Sequence, residues 1–215
     1  MSERATTATR QTLRSRIVAQ FGQPTGIVGR LIGLVMATRT SNRERNRRTI
    51  ELLQIRDGDR VLEIGFGPGL AIEMAARLAR SGKVVGVDHS EIMLRQASRR
   101  NRAAIAAGRV QLHLASADAL PPFSEPFDKV MASNVHMFLH DAVSTLRRWL
   151  VITRPGGLVA ITHQSRKQAA TDADTARGAD RIAADLRAAG FTDVRIETLE
   201  MKPVNAACVL GRRPT

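Results

Sequence analysis

From residue 60 onward, short apolar runs alternate with amphipathic stretches along the chain. The apolar runs predict seven strands, at 61–64, 84–87, 110–115, 127–132, 158–162, 194–199 and 204–210. Helices are predicted at 71–79, 90–107, 141–150 and 168–189, the last ending at Gly190. Strands that alternate with helices favour an α/β fold, with a mostly parallel sheet covered on both faces. Because few residues separate the last two predicted strands, the sheet is expected to end in an antiparallel hairpin.

The part of the chain before this pattern is organised differently. Residues 1–20 are rich in Ser, Thr and Arg, which is typical of a basic, disordered arm or a fraying helix. Residues 21–56 form a predicted helical lid segment, with one apolar stretch at 26–37 and a helix at 43–55. A membrane-surface helix is the alternative for the apolar stretch. Residues 57–215 are expected to form one domain, and we expect 26–37 and 43–48 to cover its ligand pocket.

Composition and charge narrow the possible functions. The chain has 33 basic and 20 acidic residues, a net charge of +13, and ten of its arginines fall within residues 1–48. A solvated, arginine-rich surface is favoured over nucleic-acid binding. The single cysteine, Cys208, excludes an internal disulfide, and the absence of tyrosine excludes tyrosine catalysis. No apolar run approaches the ~20 residues of a membrane span, so a cytoplasmic location is expected.

The strongest local signal is the segment at 63–69, Glu-Ile-Gly-Phe-Gly-Pro-Gly, which leaves a predicted strand and precedes a helix. Glycine permits the tight turn and lets a ligand approach the backbone. The N-terminus of the following helix offers free N–H groups to an anion. The segment therefore predicts a nucleotide-binding loop.

Two other nucleotide-binding patterns do not fit this loop. The dinucleotide pattern Gly-x-Gly-x-x-Gly requires a glycine where this chain has Leu70, and it does not include Glu63. The Lys-Ser/Thr pair that ends a phosphate-binding P-loop is also absent. The loop thus disfavours a nicotinamide oxidoreductase and ATP hydrolysis.

The pattern Glu-x-Gly-x-Gly-x-Gly resembles motif I of the class I S-adenosylmethionine-dependent methyltransferases. Later segments resemble further motifs of that family in the same order, namely Asp88 after the second strand, 116–121 after the third, 127–130 in the fourth, 150–157 before the fifth and 188–191 before the sixth. At 150–157 the spacing before Pro-Gly-Gly is longer than in the family. The resemblance covers about residues 48–211 and is closest to small-molecule methyltransferases of the ubiquinone and menaquinone biosynthesis type.

This resemblance implies a Rossmann-like sheet of seven strands in the order 3-2-1-4-5-7-6, with the last strand antiparallel, and S-adenosyl-L-methionine as cofactor. Asp88 would accept hydrogen bonds from both ribose hydroxyls, and Asp118 would accept one from the adenine amino group. The implied cofactor-binding residues are Glu63, Gly65, Phe66, Gly67, Gly69, Asp88, His89, Met93, Ala117, Asp118, Ala119 and Asn134. Core packing is an equal alternative for Met93.

Methyl transfer is an in-line displacement at a sulfonium carbon, so the protein mainly aligns the nucleophile and excludes water. A hydroxyl nucleophile also needs a base. His136 after the fourth strand and His163 at the end of the fifth are the candidate catalytic residues. A role in the pocket wall or in packing is the alternative for each. His136 and His140 could share a helical face, but such a pair alone does not predict a metal site.

The sequence therefore predicts a methyltransferase that acts on a small molecule, with a hydroxyl as the favoured acceptor group. One alternative is an RNA or protein methyltransferase that binds its substrate through the basic N-terminal segment. Another is a non-enzymatic protein that has kept the cofactor pocket. A homodimer and a nucleic-acid partner are left open, as is the choice among oxygen, nitrogen and carbon acceptors, since specificity lies in irregular segments.

Overall fold

The computed structural model describes residues 40–167, 169–202 and 204–215. The predicted arm at 1–20 and the predicted apolar helix at 26–37 lie outside the described residues. The described part of the chain begins with a helix that packs on one face of a seven-stranded sheet. None of the described helices is long and apolar enough to cross a membrane.

The strands and helices alternate as the hydrophobic pattern predicts. The strands are β1 (Arg60–Ile64), β2 (Lys83–Asp88), β3 (Val110–Leu114), β4 (Phe127–Ser133), β5 (Thr153–His163), β6 (Thr192–Leu199) and β7 (Ala206–Arg212). The α-helices are α1 (Thr40–Leu53), α2 (Leu70–Leu78), α3 (Glu91–Arg100), α4 (Arg102–Ala106), α5 (Ala142–Ile152) and α6 (Asp172–Ala189). One turn of 3-10 helix spans His136–Phe138.

The sheet has the expected topology. Its strand order is β3-β2-β1-β4-β5-β7-β6. The pairs from β3 to β5 are parallel, whereas β7 runs antiparallel to both β5 and β6. The predicted α/β class, strand order and terminal hairpin are therefore confirmed. Since β1 lies between β2 and β4, consecutive helical connections leave it in opposite directions, which opens a crevice at the carboxyl ends of these strands.

Two apolar clusters hold the helices against the two faces of the sheet. Apolar residues of α1, α2 and α3 pack on one face, and those of α5 and α6 pack on the other. Val61 and Leu62 of β1 belong to opposite clusters and are fully buried, as expected where side chains alternate along a strand covered on both sides. The helices therefore fix β1 from both sides and hold the loop that follows it.

The single helix predicted over 90–107 is wrong, because the chain breaks at Asn101. The Asn101 amide Nδ2 donates to the carbonyls of Ala97, 3.0 Å away, and Gly69, 3.1 Å away. Asparagine side chains that bond to nearby backbone compete with helix propagation. The backbone at Asn101, with φ −101° and ψ 15°, caps α3 and begins α4.

Two other boundaries differ from the predicted ones. The fifth strand, predicted at 158–162, begins earlier, at Thr153, because the Gly156 N–H donates to the Arg213 carbonyl and the Gly157 carbonyl accepts from the Arg213 N–H. Helix α6 begins at Asp172, later than predicted. Thr171 and Asp174 form a capping box there, in which each side chain accepts from the other residue's backbone N–H.

Candidate active site

A cavity of about 590 Å³ lies at the carboxyl ends of β1, β2 and β4. Its walls also include residues of α1, the loop after β3, the 3-10 turn after β4 and the loop after β5. The volume is within the range of small-molecule sites, roughly 300–1,000 Å³. The cavity thus occupies the switch point of the sheet, where ligands bind in open α/β folds.

Ten of the twelve residues predicted to bind cofactor line this cavity. They are Glu63, Gly65, Phe66, Gly67, Asp88, His89, Met93, Ala117, Asp118 and Asn134. The other two, Gly69 and Ala119, are not among its lining residues. Gly69 instead forms the N-cap of α2, with φ 75°, against α3 and Asn101.

The glycine loop is fastened to the end of β2 through Asp88. The Gly67 N–H donates to Asp88 Oδ2 over 2.8 Å, and the Ser90 N–H donates to Oδ1 over 2.9 Å. Only 7% of Asp88 is exposed. Burial raises the pKa of Asp88, while these backbone hydrogen bonds oppose the shift. A carboxylate has about four acceptor positions, so Asp88 keeps some for a ligand in the cavity.

Glu63 lies on β1 directly before the loop and is buried. Its carboxyl accepts a hydrogen bond from the backbone N–H of Ile72 in the first turn of α2, whereas Oε2 is buried with no partner among the described residues. Burial, and then the neighbouring charge of Asp88, raise the pKa of Glu63 well above its usual value. Leaving a buried polar oxygen unpaired costs free energy, so Oε2 is suited to a ligand donor.

Asn134 follows β4 in a left-handed conformation with φ 55°. Its Oδ1 accepts from the Gln164 N–H over 2.8 Å, which fixes the side chain between the ends of β4 and β5. Its Nδ2 is buried and has no partner within the described part of the chain. The cavity wall therefore carries one unpaired acceptor, on Glu63, and one unpaired donor, on Asn134.

The opposite end of the cavity is formed by the loops after β2 and β3. Met93 is buried there, whereas His89 and Asp118 are exposed. Asp118 accepts a hydrogen bond from the Ser116 hydroxyl, which lowers the pKa of its carboxyl. The Trp149 indole N–H donates to the Ala117 carbonyl over 3.2 Å, so α5 holds this loop in place.

The two histidines predicted to be catalytic do not line the cavity. His136 Nε2 lies 2.9 Å from Asp185 Oδ2 of α6, so its imidazole is held at the other side of the 3-10 turn. His163 lies against Gly178 of the same helix. Burial lowers the pKa of both imidazoles. Among the described residues, no group of three or more His, Cys, Asp or Glu side chains is placed to hold a metal ion.

Helix α1 contributes three cavity residues that motif reasoning did not name individually, Asn42, Arg45 and Asn46. The helix is docked on the end of β5 by a hydrogen bond of 2.6 Å between the hydroxyls of Thr49 and Thr162. Arg45 is 3% exposed and donates to Ser133 and Gln164, which lie 88 and 119 residues further along the chain. The only sequence signal for this wall was the apolar face of a helix predicted to act as a lid.

The residues present fit S-adenosylmethionine. The unpaired Glu63 oxygen and the unpaired Asn134 amide N–H suit the ammonium and carboxylate of an amino-acid group, and Asp88 suits a pair of hydroxyls. A side-chain carbon added at Gly67 would meet nothing within 4 Å, so the loop leaves open space over its backbone. Fold and site together define a nucleotide-binding enzyme of the Rossmann-like type that uses an amino-acid-bearing nucleoside.

Comparison with known proteins agrees with that description. The family model described as a methyltransferase domain matches residues 61–157. An uncharacterized methyltransferase from Bacillus subtilis, YdaC, is 32% identical over 184 residues, which cover 86% of this chain and 98% of YdaC. The ubiquinone/menaquinone biosynthesis C-methyltransferase of Geobacter sulfurreducens is 29% identical over 56% of this chain, and the match spans about half, 47%, of that relative.

A solved structure, the N-methyltransferase NodS from Bradyrhizobium japonicum, shares the fold with a TM-score of 0.66 at 18% identity, covering 83% of this chain and 99% of NodS. The chain therefore belongs to the class I S-adenosylmethionine-dependent methyltransferases. It is an enzyme of that family, and its cofactor is S-adenosyl-L-methionine.

Proposed function

We propose that this enzyme transfers the methyl group of S-adenosylmethionine to a hydroxyl oxygen of a small-molecule acceptor. The observation that carries the proposal is the cavity of about 590 Å³, which continues from the glycine loop to the ends of β4 and β5. Helix α1 and the 3-10 turn wall off that region, so an acceptor must enter a pocket. A pocket of this kind suits a small molecule better than a macromolecular surface.

Within this proposal, the lining residues of β1, β2 and β4 hold the cofactor. Asp88 accepts hydrogen bonds from its ribose hydroxyls, Glu63 Oε2 accepts from its ammonium group, and Asn134 Nδ2 donates to its carboxylate. The cofactor supplies a methyl group activated on a sulfonium sulfur. The loop after β3 and Met93 flank the adenine, with Asp118 at its amino group. The unpaired buried atoms of Glu63 and Asn134 support this orientation.

The acceptor's region of the cavity has an apolar wall. Val135, Met137, Phe138 and Leu139 form the apolar wall after β4, and Arg45 and Arg166 also line the cavity. Because His136 and His163 lie outside the lining, the proposal assigns neither of them as the base. The hydroxyl that we propose is therefore an acidic one, as in a phenol or an enol, which ionises near neutral pH more readily than an aliphatic alcohol.

The names of the similar proteins do not select the accepting atom. The Geobacter relative is named for transfer to carbon and for quinone biosynthesis, and NodS is named as an N-methyltransferase. The quinone-biosynthesis name supports a small-molecule acceptor and leaves the accepting atom to be determined. The proposal therefore needs a test that identifies the methylated atom.

Two measurements test it. Isothermal titration with S-adenosylhomocysteine, the demethylated cofactor, is expected to show saturable one-to-one binding, and no binding at millimolar ligand would overturn the cofactor site. Incubation with methyl-labelled cofactor and matched panels of phenols, aliphatic alcohols and amines, read by mass spectrometry, is expected to label phenols or enols. Labelling confined to amines, with phenols untouched, would overturn the oxygen assignment.

A further inference from the structure

The side chain of Arg45 is a buried cation whose hydrogen-bond partners are neutral. Its Nε donates to Ser133 Oγ over 3.0 Å, one Nη donates to Gln164 Oε1 over 2.7 Å, and the other donates to Asn42 Oδ1 over 2.5 Å. Only 3% of the residue is exposed. Among the described residues, no carboxylate forms an ion pair with it. A buried charge without a counter-ion is costly, so the arrangement indicates a ligand that supplies one.

The guanidinium of Arg45 has donors left for such a ligand. Three of its five N–H groups are used by the neutral partners, which leaves one N–H on each Nη. Burial, and then the positive charge of Arg166, lower the pKa of Arg45 to about 9, so the side chain is still charged at neutral pH. Because Arg45 lines the main cavity and guanidinium pairs well with carboxylate, these donors suit a carboxylate that enters the cavity.

The position of Asn134 indicates which carboxylate this is. Asn134 directly follows Ser133, and its Oδ1 accepts from the Gln164 N–H over 2.8 Å, so it is fixed by the same segments as Arg45. Its Nδ2 is the buried unpaired donor to which the proposed function assigns the cofactor's carboxylate. A carboxylate has about four acceptor positions, so one such group can accept from both side chains.

The position of Glu63 fits the other charged group of the same ligand. Strand β1, which carries Glu63, pairs with β4, and Glu63 and Ser133 both line a second cavity of about 10 Å³. An amino acid carries its ammonium and carboxylate on one carbon, so the groups that bind them must lie close together. The unpaired Glu63 oxygen on one side and the donors of Arg45 and Asn134 on the other meet this requirement.

We infer that Arg45 binds the carboxylate of the cofactor's amino-acid group jointly with Asn134. This inference rests on the proposed function, because that proposal places the amino-acid group between Glu63 and Asn134. It makes α1 part of the cofactor site, although the helix precedes the residues that match the family model, 61–157. The neutral partners hold the guanidinium in place before the ligand arrives, so little conformational entropy is lost on binding.

The test uses the full chain and two ligands that differ in one group, S-adenosylhomocysteine and its decarboxylated analogue, which keeps the ammonium. Calorimetry at constant ionic strength should show that the wild type binds S-adenosylhomocysteine about tenfold or more tightly than the analogue. Arg45→Gln should weaken binding of S-adenosylhomocysteine about tenfold and leave that of the analogue unweakened. Arg102→Gln removes the same charge from an exposed residue that does not line the cavity, and it should change neither affinity.

Asn42→Asp tests the same contact with Arg45 in place. Because Asn42 Oδ1 already accepts from the guanidinium, an aspartate there would supply the counter-ion from the chain itself. It should compete with the ligand's carboxylate and reduce the preference for S-adenosylhomocysteine over the analogue by about tenfold. Ser41→Asp adds the same charge one residue earlier, at a position that does not line the cavity, and should keep the preference. If Arg45→Gln does not fold, this pair of variants decides the matter.

Three results would overturn the inference. In the first, the wild type binds the two ligands with equal affinity. In the second, Arg45→Gln weakens both ligands by the same factor, because Arg45 would then shape the pocket without contacting the carboxylate. In the third, folded Arg45→Gln or Asn42→Asp keeps the wild-type preference.

The proposed function fails in a different experiment. Methyl labelling confined to amines would reject the hydroxyl acceptor and leave these affinities as they are. Failure of the wild type to bind S-adenosylhomocysteine would reject the cofactor site, and this inference with it.

Discussion

Substitution of Gly67 by alanine should separate cofactor binding from stability. Gly67 has φ 52°, a left-handed conformation, and a side-chain carbon there would meet no atom within 4 Å. The cost to the free energy of unfolding is therefore only that of placing an L-residue in this region, about 1–2 kcal/mol. The added methyl group would occupy the space above the loop where the proposed cofactor lies. We expect the affinity for S-adenosylhomocysteine to fall at least tenfold, about 1.4 kcal/mol.

Gly69 provides the matched control two residues further on. Its φ of 75° imposes the same backbone cost, but an added carbon would lie 2.7 Å from Ala97 Cβ, 2.8 Å from Asn101 Nδ2 and 2.9 Å from Ala97 Cα. Relieving such overlap costs about 1–3 kcal/mol beyond the backbone term. Gly69 does not line the cavity. Gly69→Ala should therefore destabilise the fold more than Gly67→Ala, while the folded protein binds S-adenosylhomocysteine within a few-fold of the wild type.

Urea denaturation and calorimetry on the same preparations provide both quantities. Calorimetry is run well below the melting temperature of each variant, so that only folded protein is titrated. The reasoning fails if Gly67→Ala binds S-adenosylhomocysteine as tightly as the wild type, because the cofactor would then not pass over this loop. It fails equally if Gly67→Ala loses more stability than Gly69→Ala.

Three further substitutions test neighbouring parts of the site. Glu63→Gln should flatten the pH dependence of stability. In the wild type, the pKa of the Glu63 carboxyl is higher in the folded than in the unfolded protein, where it is 4.5, so the free energy of unfolding falls as pH rises from 4.5 through the raised folded pKa. Melting temperatures from pH 4 to 8 measure this dependence in both proteins. Asp88→Asn should weaken S-adenosylhomocysteine binding at least tenfold by calorimetry and also cost about 1–3 kcal/mol in urea denaturation, because one amide N–H must face a backbone donor. Asn101→Ala should lose about 1–3 kcal/mol in urea and keep the wild-type affinity for S-adenosylhomocysteine, since it removes two buried hydrogen bonds outside the cavity lining.

The strands were predictable because the signal for most of them, an apolar or alternating run, is local. Their spatial order was implied by the family resemblance of the ordered motifs. The break at Asn101 was not predicted, because it depends on a hydrogen bond to the Gly69 carbonyl, 32 residues away in the chain. The starting point of α6 could have been read from the Thr171–Asp174 capping box, which is a local signal.

The same distinction between local signals and long-range contacts applies to the residues of the candidate site. Residues at strand ends, such as Glu63, Asp88 and Asn134, line the cavity, and their position follows from the local strand pattern. The direction of His136 depends instead on Asp185, 49 residues later, which holds the imidazole away from the cavity. Nothing in the local sequence of Arg45 distinguishes it from the arginines beside it, and its burial appears only once α1 docks on β5. Long-range side-chain pairing is therefore what the sequence alone could not supply.

The hydrogen bond between the Gly67 N–H and Asp88 joins the glycine loop and the acid at the end of β2 into one structural unit, although 21 residues separate them. A ligand that draws on the remaining acceptor positions of Asp88 competes with neither backbone donor, so binding need not loosen the loop. Conversely, a loop that loses this carboxylate keeps an unsatisfied N–H beside the ligand, which is costly when buried. Loss of binding in an Asp88 variant therefore reports loop geometry as well as a lost contact. The Gly67 variant, which keeps the N–H donor, separates these two effects.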